Sequence, residues 1–598
     1  MFVVKKRLGQ VREVMRQKQI DAYLIPTADF HQSEYVGDYF QTRRYVSGFT
    51  GSAGTLIITL EQAGLWTDGR YFIQAEQELE DSEITLYKSG VEGMLTEEEF
   101  LQREVKEHGV IGFDGRTVAA SVGKRIEEMQ KEKGIRIAYE EDLIDLIWEG
   151  RPVMSMNPVY VLELRYAGED AQEKIKRIRE AMEVRHATMH IITSLDDIAW
   201  ILNIRGSDIP NNPVVLCYLI ITKKESLLFI EELKLSWEVT EYLEGLGITI
   251  YGYNEIYEYV KMIVQPEVVL CDLDKVNYAI IKAIPSQISI INGCNPSVAM
   301  RAVKNEIEID NLRQAHIKDG VAFTKFMYYI KQNIGKVPLD EVSASEYLEE
   351  QRKQQNGYLE PSFSTICAYK ENAAMMHYHA KKGECKELKK EGLLLIDSGG
   401  QYLEGTTDLT RTLALGPVCE EQRKHYTAVV VSMLNLSNAR FLYGCTGQNL
   451  DILARGPIWN MNLDYQCGTG HGVGYLLNVH EGPNGFCWSS PKGTKPSAVL
   501  EDGMVTTDEP GIYIEGSHGI RIENELVCCK GEQNEYGQFM YFEPLTMAPI
   551  DVDALDMTRM TTVEKARLNA YHKKVYETIL PFLTLDEAVW LRQYTRQI

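Results

Sequence analysis

Leu393-Leu394-Leu395-Ile396-Asp397-Ser398-Gly399-Gly400, followed closely by Gly405-Thr406-Thr407-Asp408-Leu409-Thr410, is the stretch on which the fold turns. Four apolar residues run without polar alternation, the pattern of a strand buried on both faces. The run ends in Asp397 and a glycine turn, and a second strand carries Thr407 to Thr410. A hairpin through that turn brings Asp397 and Asp408 side by side. Taken singly, Asp397 reads as a turn-forming aspartate and Asp408 as a solvated strand residue. As a buried pair they repel, so a cation lies between them or one keeps its proton.

A second hairpin repeats the arrangement. Met504-Val505-Thr506-Thr507-Asp508-Glu509 leads through Pro510-Gly511, and the return strand is Gly519-Ile520-Arg521-Ile522-Glu523-Asn524-Glu525. Glu509 then faces Glu523 or Glu525; residues i and i+2 share a strand face, so parity leaves both open. Between the hairpins lies the loop Gly468-Thr469-Gly470-His471-Gly472-Val473-Gly474. Alternating glycines let the backbone approach something closely and leave His471 as the one large ligand. A phosphate loop is the rival reading, but the Gly-Lys-Ser/Thr ending is absent. Four carboxylates and one imidazole form a hard, oxygen-rich set suited to Mn²⁺, Co²⁺, Fe²⁺ or Zn²⁺. Four negative charges balance two divalent cations. Two such ions about 3.5–4 Å apart hold a bridging water, lower its pKa and deliver hydroxide to a carbonyl.

Upstream, two segments resemble each other. Tyr23-Leu24-Ile25, Tyr45 to Phe49 and the strand Thr55 to Ile58 are echoed by His190-Ile191-Ile192, a helix from Asp196 to Leu202 and a strand from Val214 to Ile221. The order of strand, helix or loop, glycine turn and strand marks a duplicated α/β unit. Breaks near Arg151-Pro152 and near 295–305 divide the chain into 1–151, 152–303 and 304–598. A helical extension from about 549 carries Trp590 and reads as a packing or association element.

With 598 residues, 44% hydrophobic and 25% charged, the composition is that of a multi-domain globular protein. A net charge of −23 without a basic patch disfavours nucleic acid as a partner. No apolar run nears the roughly 18–20 residues of a membrane span. Val4, Leu8, Val11 and Met15 recur at helical spacing, so the start reads as a first helix, not a targeting peptide. Eleven scattered cysteines without a CxxC pair fit a reducing cytoplasm.

The order Asp397, Asp408, His471, Glu509, Glu523 resembles the pita-bread metallopeptidases, and the local motifs resemble three-domain aminopeptidase P most closely. The matching blocks include Asp397-Ser398-Gly399, Gly405 to Asp408, Gly470 to Gly474, Asn478-Val479-His480-Glu481-Gly482-Pro483 and Thr507 to Gly511. Gly519 to Asn524, Trp66-Thr67-Asp68-Gly69-Arg70-Tyr71-Phe72 and Phe542-Glu543-Pro544-Leu545 match as well. The resemblance implies a fold of α/β and α+β type, with two related creatinase-like domains in front of a pita-bread catalytic domain. It also implies an aminopeptidase that cuts the N-terminal Xaa-Pro bond with hydroxide held between two divalent metals, Mn²⁺ first. It selects Glu523 over Glu525 and implies that Asp408 and Glu523 reach both metals. Glu509 handles protons, His377 and His480 contact the substrate or its oxyanion, and Arg70 and Arg521 contact the peptide. A homodimer is implied too. A prolidase restricted to dipeptides is the nearest alternative, and a silent pita-bread peptide- or histone-binding module a remoter one. One departure stands out. Many relatives carry a histidine four residues before the metal histidine, where this chain has Cys467.

Overall fold

The computed structural model describes residues 2–131, 133–489 and 497–598. They form two compact units, Met1–Glu163 with Glu169–Ser297 and Leu164–Gly168 with Val298–Ile598.

The first unit opens with the helix Phe2–Lys18, whose Leu8, Val11 and Met15 are fully buried on one stripe. Six strands follow: β1 (Ala22–Pro26), β2 (Thr55–Thr59), β3 (Ala63–Thr67), β4 (Thr85–Lys88), β5 (Val110–Gly112) and β6 (Arg136–Ala138). Their order in the sheet is β4-β3-β2-β1-β5-β6. A second set comprises β7 (Met189–Ile192), β8 (Cys217–Thr222), β9 (Ser226–Ile230), β10 (Ile248–Tyr251), β11 (Val268–Cys271) and β12 (Ser289–Asn292). Its order is β10-β9-β8-β7-β11-β12, the same path through the sheet. The sense of each pairing also repeats, antiparallel across the first three strands and parallel outward from them. The duplication read from two short segments thus extends over both whole sheets. One boundary differs from expectation. β8 starts at Cys217, because the backbone of 214–216 is already engaged: Val214 O accepts from Asp208 N, and Leu216 N donates to the Asp208 carboxylate.

The second unit begins with the helix α1 (Glu306–Asn333), started by a capping box in which Asn305 and Glu308 satisfy each other's backbone. α2 (Glu341–Lys353) follows under a similar cap from Asp340. A three-stranded antiparallel sheet then forms from β13 (Ile366–Tyr369), β14 (Leu393–Ser398) and β15 (Leu409–Ala414), with β14 central. Leu393 to Ile396 are at most 1% exposed, so each contributes on the order of 1.5–3 kcal/mol through burial. A six-stranded sheet is built from β16 (Arg440–Leu442), β17 (Gly470–Gly472), β18 (Glu481–Phe486) and β19 (Val505–Asp508), with β22 (Asn524–Asn534) and β23 (Gly537–Pro544). A separate hairpin, β20 (Gly511–Ile514) with β21 (His518–Arg521), interrupts the run from β19 to β22. The helices α3 (Glu420–Ser437) and α4 (Gly447–Trp459) complete the unit with the tail helices Thr562–Ile579 and Leu585–Tyr594.

The tail packs into the same core: Leu568, Val575, Ile579 and Leu591 are fully buried, and the Trp590 ring meets that of Tyr328 edge-on. Arg411 on β15, wholly buried, binds it more closely. Its guanidinium donates to Ala548 O, Pro549 O and the Tyr571 hydroxyl in the tail, and also to Asn524 Oδ1 and the Glu523 carbonyl.

Candidate active site and metal centre

Asp397 is the fifth residue of β14, opposite Ile366 on one side and Thr410 on the other. The expected simple hairpin is modified here. The intervening chain makes a small hairpin of its own, Gly400–Tyr402 against Gly405–Thr406, and Asp408 lies just ahead of β15. Asp408 is held in place through its amide, which donates to Glu525 Oε1 at 2.6 Å.

Glu523 occupies the short break between β21 and β22. Its amide donates to Thr410 O (3.0 Å), and Thr410 Oγ1 donates to its carboxylate (2.7 Å). Glu509 follows β19, with its amide on Thr469 O at 2.8 Å. His471 lies mid-strand in β17, not in a loop as expected. Its flanking glycines are required by the sheet itself: a Cβ on Gly470 would meet Thr507 O at 1.8 Å, and one on Gly472 would meet Glu481 O at 2.2 Å. The close approach is therefore strand against strand, not backbone against ligand.

These elements converge. His471 Nε2 is 3.4 Å from Asp408 Oδ2 and 3.4 Å from Glu509 Oε1. Asp408, His471 and Glu523 each offer one ligand atom, all within 4.8 Å of one another. His471 Nδ1 lies 3.0 Å from Gly472 O, an atom that only accepts, so Nδ1 carries the hydrogen and Nε2 presents a lone pair to the cluster. Burial drives the Asp408 carboxyl well above its ordinary range, and Asp397, Glu509 and Glu525 push it further. Glu523 is raised likewise by burial, then by Asp408, Glu509 and Asp397, against a smaller opposing pull from Thr410.

Asp397 Oδ1 is buried and accepts no hydrogen bond. Mutually repelling carboxylates, an orphaned oxygen and a directed imidazole together fit a site for hard divalent cations, which would neutralise the repulsion and take the orphan as a ligand.

Arg521 was expected to meet substrate. It is 3% exposed, with donors directed at Asp397 Oδ2, the Tyr513 hydroxyl (2.6 Å), Thr410 Oγ1 (3.2 Å) and Met376 O (3.4 Å). It holds Asp397 from behind. His480 stacks edge-on against His471 with ring centroids 4.3 Å apart. His377 sits in the turn Met375 to Tyr378, whose Met376 carbonyl accepts from Arg521. Arg70 belongs to the first unit, where it grips Asp68 through two hydrogen bonds of 2.8 Å. Cys467 is partly buried against the core. Its carbonyl accepts from the buried Arg455, which also pairs with Asp451 (2.9 Å) and Asp464 (2.7 Å).

Glu525 was missed as a support. Besides holding the Asp408 amide, its Oε1 lies 3.2 Å from Nε2 of the buried His316. Nothing in the local sequence marks it, because its partners are 117 residues or more away.

Residues 7–142 match a model of the creatinase/prolidase N-terminal domain, and 150–308 match a second such model. Residues 310–530 match metallopeptidase family M24, and 538–598 match the C-terminal region of its peptidases. Two proteins named probable Xaa-Pro aminopeptidase P are each 38% identical. The one from Pyrenophora teres f. teres aligns over 98% of this chain and 92% of its own length. The one from Paracoccidioides brasiliensis aligns over 99% of both. The chain belongs to the aminopeptidase P group of metallopeptidase family M24. Among solved structures, an X-prolyl aminopeptidase from Caenorhabditis elegans, described as a cytosolic enzyme with a di-nuclear active site, is 31% identical with a TM-score of 0.95 over 100% of both chains. The Xaa-Pro dipeptidase of Bacillus anthracis is 25% identical with a TM-score of 0.50, and covers 64% of this chain and 99% of its own. The fold of this M24 chain is therefore two creatinase-like domains followed by a pita-bread domain.

Proposed function

We propose that the protein is an aminopeptidase that hydrolyses the bond between an N-terminal residue and a following proline, with Asp397, Asp408, His471, Glu509 and Glu523 holding two divalent cations, Mn²⁺ foremost. The observation that carries this reading is the convergence of Asp408, His471 and Glu523 within 4.8 Å, beside an Asp397 oxygen that nothing satisfies. Full-length similarity to proteins named Xaa-Pro aminopeptidase P supports the substrate class. The prolidase alternative is weakened because the B. anthracis dipeptidase aligns with only 64% of this chain. The silent-module alternative is weakened by the intact ligand set.

Bound cations would polarise the carbonyl before proline and acidify a water molecule. Glu509, with 21% of its side chain exposed, takes a proton from the attacking water and passes it towards the leaving nitrogen. His377 and His480 hydrogen-bond the substrate carbonyl as it becomes an oxyanion, a contribution typically on the order of 10²–10³ in rate. Arg521 is reassigned from substrate to the Asp397 carboxylate. A prolyl amide lacks N–H, so selection rests on a pocket shaped for the pyrrolidine ring and a grip on the free amine.

The domain limits are taken as 1–151, 152–303 and 304–598. A cytoplasmic setting accords with the cytosolic C. elegans enzyme, and no described helix is long and apolar enough to cross a membrane. For a homodimer, exposed Ile452, Trp459 and Trp488 offer an apolar face. The deciding assay sets Arg-Pro-Pro against Arg-Ala-Ala and the dipeptide Gly-Pro. Cleavage of the first alone is expected; equal cleavage of Arg-Ala-Ala overturns the prolyl assignment, and preference for Gly-Pro makes the protein a prolidase.

A further inference from the structure

Glu341, at the first position of α2, is wholly buried and lies outside the ligand set. Its carboxylate accepts from four separate groups of one returning segment. The Tyr369 amide donates at 2.7 Å, the Asn372 side chain at 2.9 Å, the Tyr378 hydroxyl at 2.8 Å and the Lys386 amide at 2.9 Å. The donors therefore bracket residues 369–386, including His377. On its other side the segment is fixed by backbone: a Cβ on Gly519 would fall 1.8 Å from Ala373 O, and Met376 O accepts from Arg521, the residue that holds Asp397. The turn bearing His377, closed by Tyr378 N on Met375 O (3.1 Å), is thus clamped between α2 and the proposed metal site.

We infer that Glu341 is a positioning residue for His377, setting the distance of that imidazole from the scissile carbonyl. This rests on the role proposed above for His377. A buried carboxylate with four donors fixes a loop far better than neutral bonds do, because charge-assisted hydrogen bonds are roughly twice as strong. A displacement of 1 Å in a catalytic group can cost about 10²-fold in rate. Glu341 touches neither substrate nor cation, so its effect must pass through the segment it holds.

The test is a double-mutant cycle on the metal-loaded, full-length protein with Arg-Pro-Pro. Glu341→Gln is expected to lower kcat about 10–100-fold with KM little changed, as loss of a transition-state contact requires. Metal content stays near that of the parent. In a His377→Ala background, Glu341→Gln is expected to add nothing further. Tyr378→Phe removes one of the four donors with little risk to folding, and serves if Glu341→Gln does not accumulate. Its smaller loss should likewise vanish once His377 is absent. Multiplying losses, or an unchanged kcat in both variants, overturn the positioning role while leaving the histidine assignment standing. A harmless His377→Ala overturns that assignment and this inference with it.

Discussion

His471 Nε2 stands equidistant, at 3.4 Å, from Asp408 Oδ2 and Glu509 Oε1. One imidazole lone pair and two carboxylates flanking different strands point at a common space. The surrounding bonds leave them few other orientations, since Nδ1 is committed to Gly472 O and the Asp408 amide to Glu525.

A cation in that space would relieve the repulsion among Asp397, Asp408, Glu509 and Glu523. After Mn²⁺ loading, elemental analysis should give about two ions per chain, and the melting temperature should rise with loading. Asp408→Asn removes one of the mutually repelling charges. It should abolish peptidase activity, yet in EDTA it should melt no lower than the parent protein. A large loss of stability without metal would contradict the repulsion argument.

Arg521 is assigned to Asp397, not to peptide, and the two roles separate kinetically. Arg521→Lys keeps a charge but loses the fork that spans Asp397, Thr410 and Tyr513. Metal affinity should fall about 10–100-fold, the usual cost of removing a group behind a ligand. The KM for Arg-Pro-Pro at saturating Mn²⁺ should stay close to that of the parent. A raised KM with unchanged metal titration would return Arg521 to the substrate.

Gly470 and Gly9 make a matched pair. A methyl group at Gly470 would collide with Thr507 O, whereas one at Gly9, exposed in the middle of the helix Phe2–Lys18, meets nothing within 4 Å. Gly470→Ala should destabilise the protein by several kcal/mol, roughly the scale of severe core overpacking. Gly9→Ala should stabilise it by about 0.5–1 kcal/mol, as expected within a helix. Chemical denaturation measures both.

His572 accepts the Ile550 amide through Nε2 at 3.1 Å and is fully buried, so it must remain neutral. Burial first, then the Arg411 charge, lowers its pKa from 6.5 to about 3. A histidine depressed in this way binds its proton more readily in the unfolded chain. Stability is therefore fully present above pH 6.5 and is lost as pH falls towards 3. The contribution is on the order of a few kcal/mol. His572→Gln retains an acceptor for Ile550, and should flatten the acid limb of a plot of melting temperature against pH.

Much of this site was legible because its chemistry sits in short motifs. Asp397 at the end of an apolar run and His471 among glycines can be read where they stand. The strand duplication was visible from two segments, since a buried strand and a glycine turn leave local signatures. What escaped the sequence was register. The parity argument treated Gly519 to Glu525 as one strand, but the chain breaks at Ile522-Glu523, so Glu523 leaves the ladder while Glu525 stays in it opposite Thr507. Arg521, which the resemblance placed on the peptide, pairs in the fold with Asp397, 124 residues away, a contact that no local motif announces.

Arg411 gives the tail a standing that its distance from the ligands conceals. One buried guanidinium ties the Glu523 carbonyl to Ala548, Pro549 and Tyr571, so the chain as far as the first tail helix shares a single knot with a proposed metal ligand. A protein cut back to residue 546 would keep every proposed ligand and still lose its anchor, leaving a buried positive group stripped of three acceptors. The minimal functional fragment is accordingly drawn by that knot and extends at least through Tyr571 in the first tail helix.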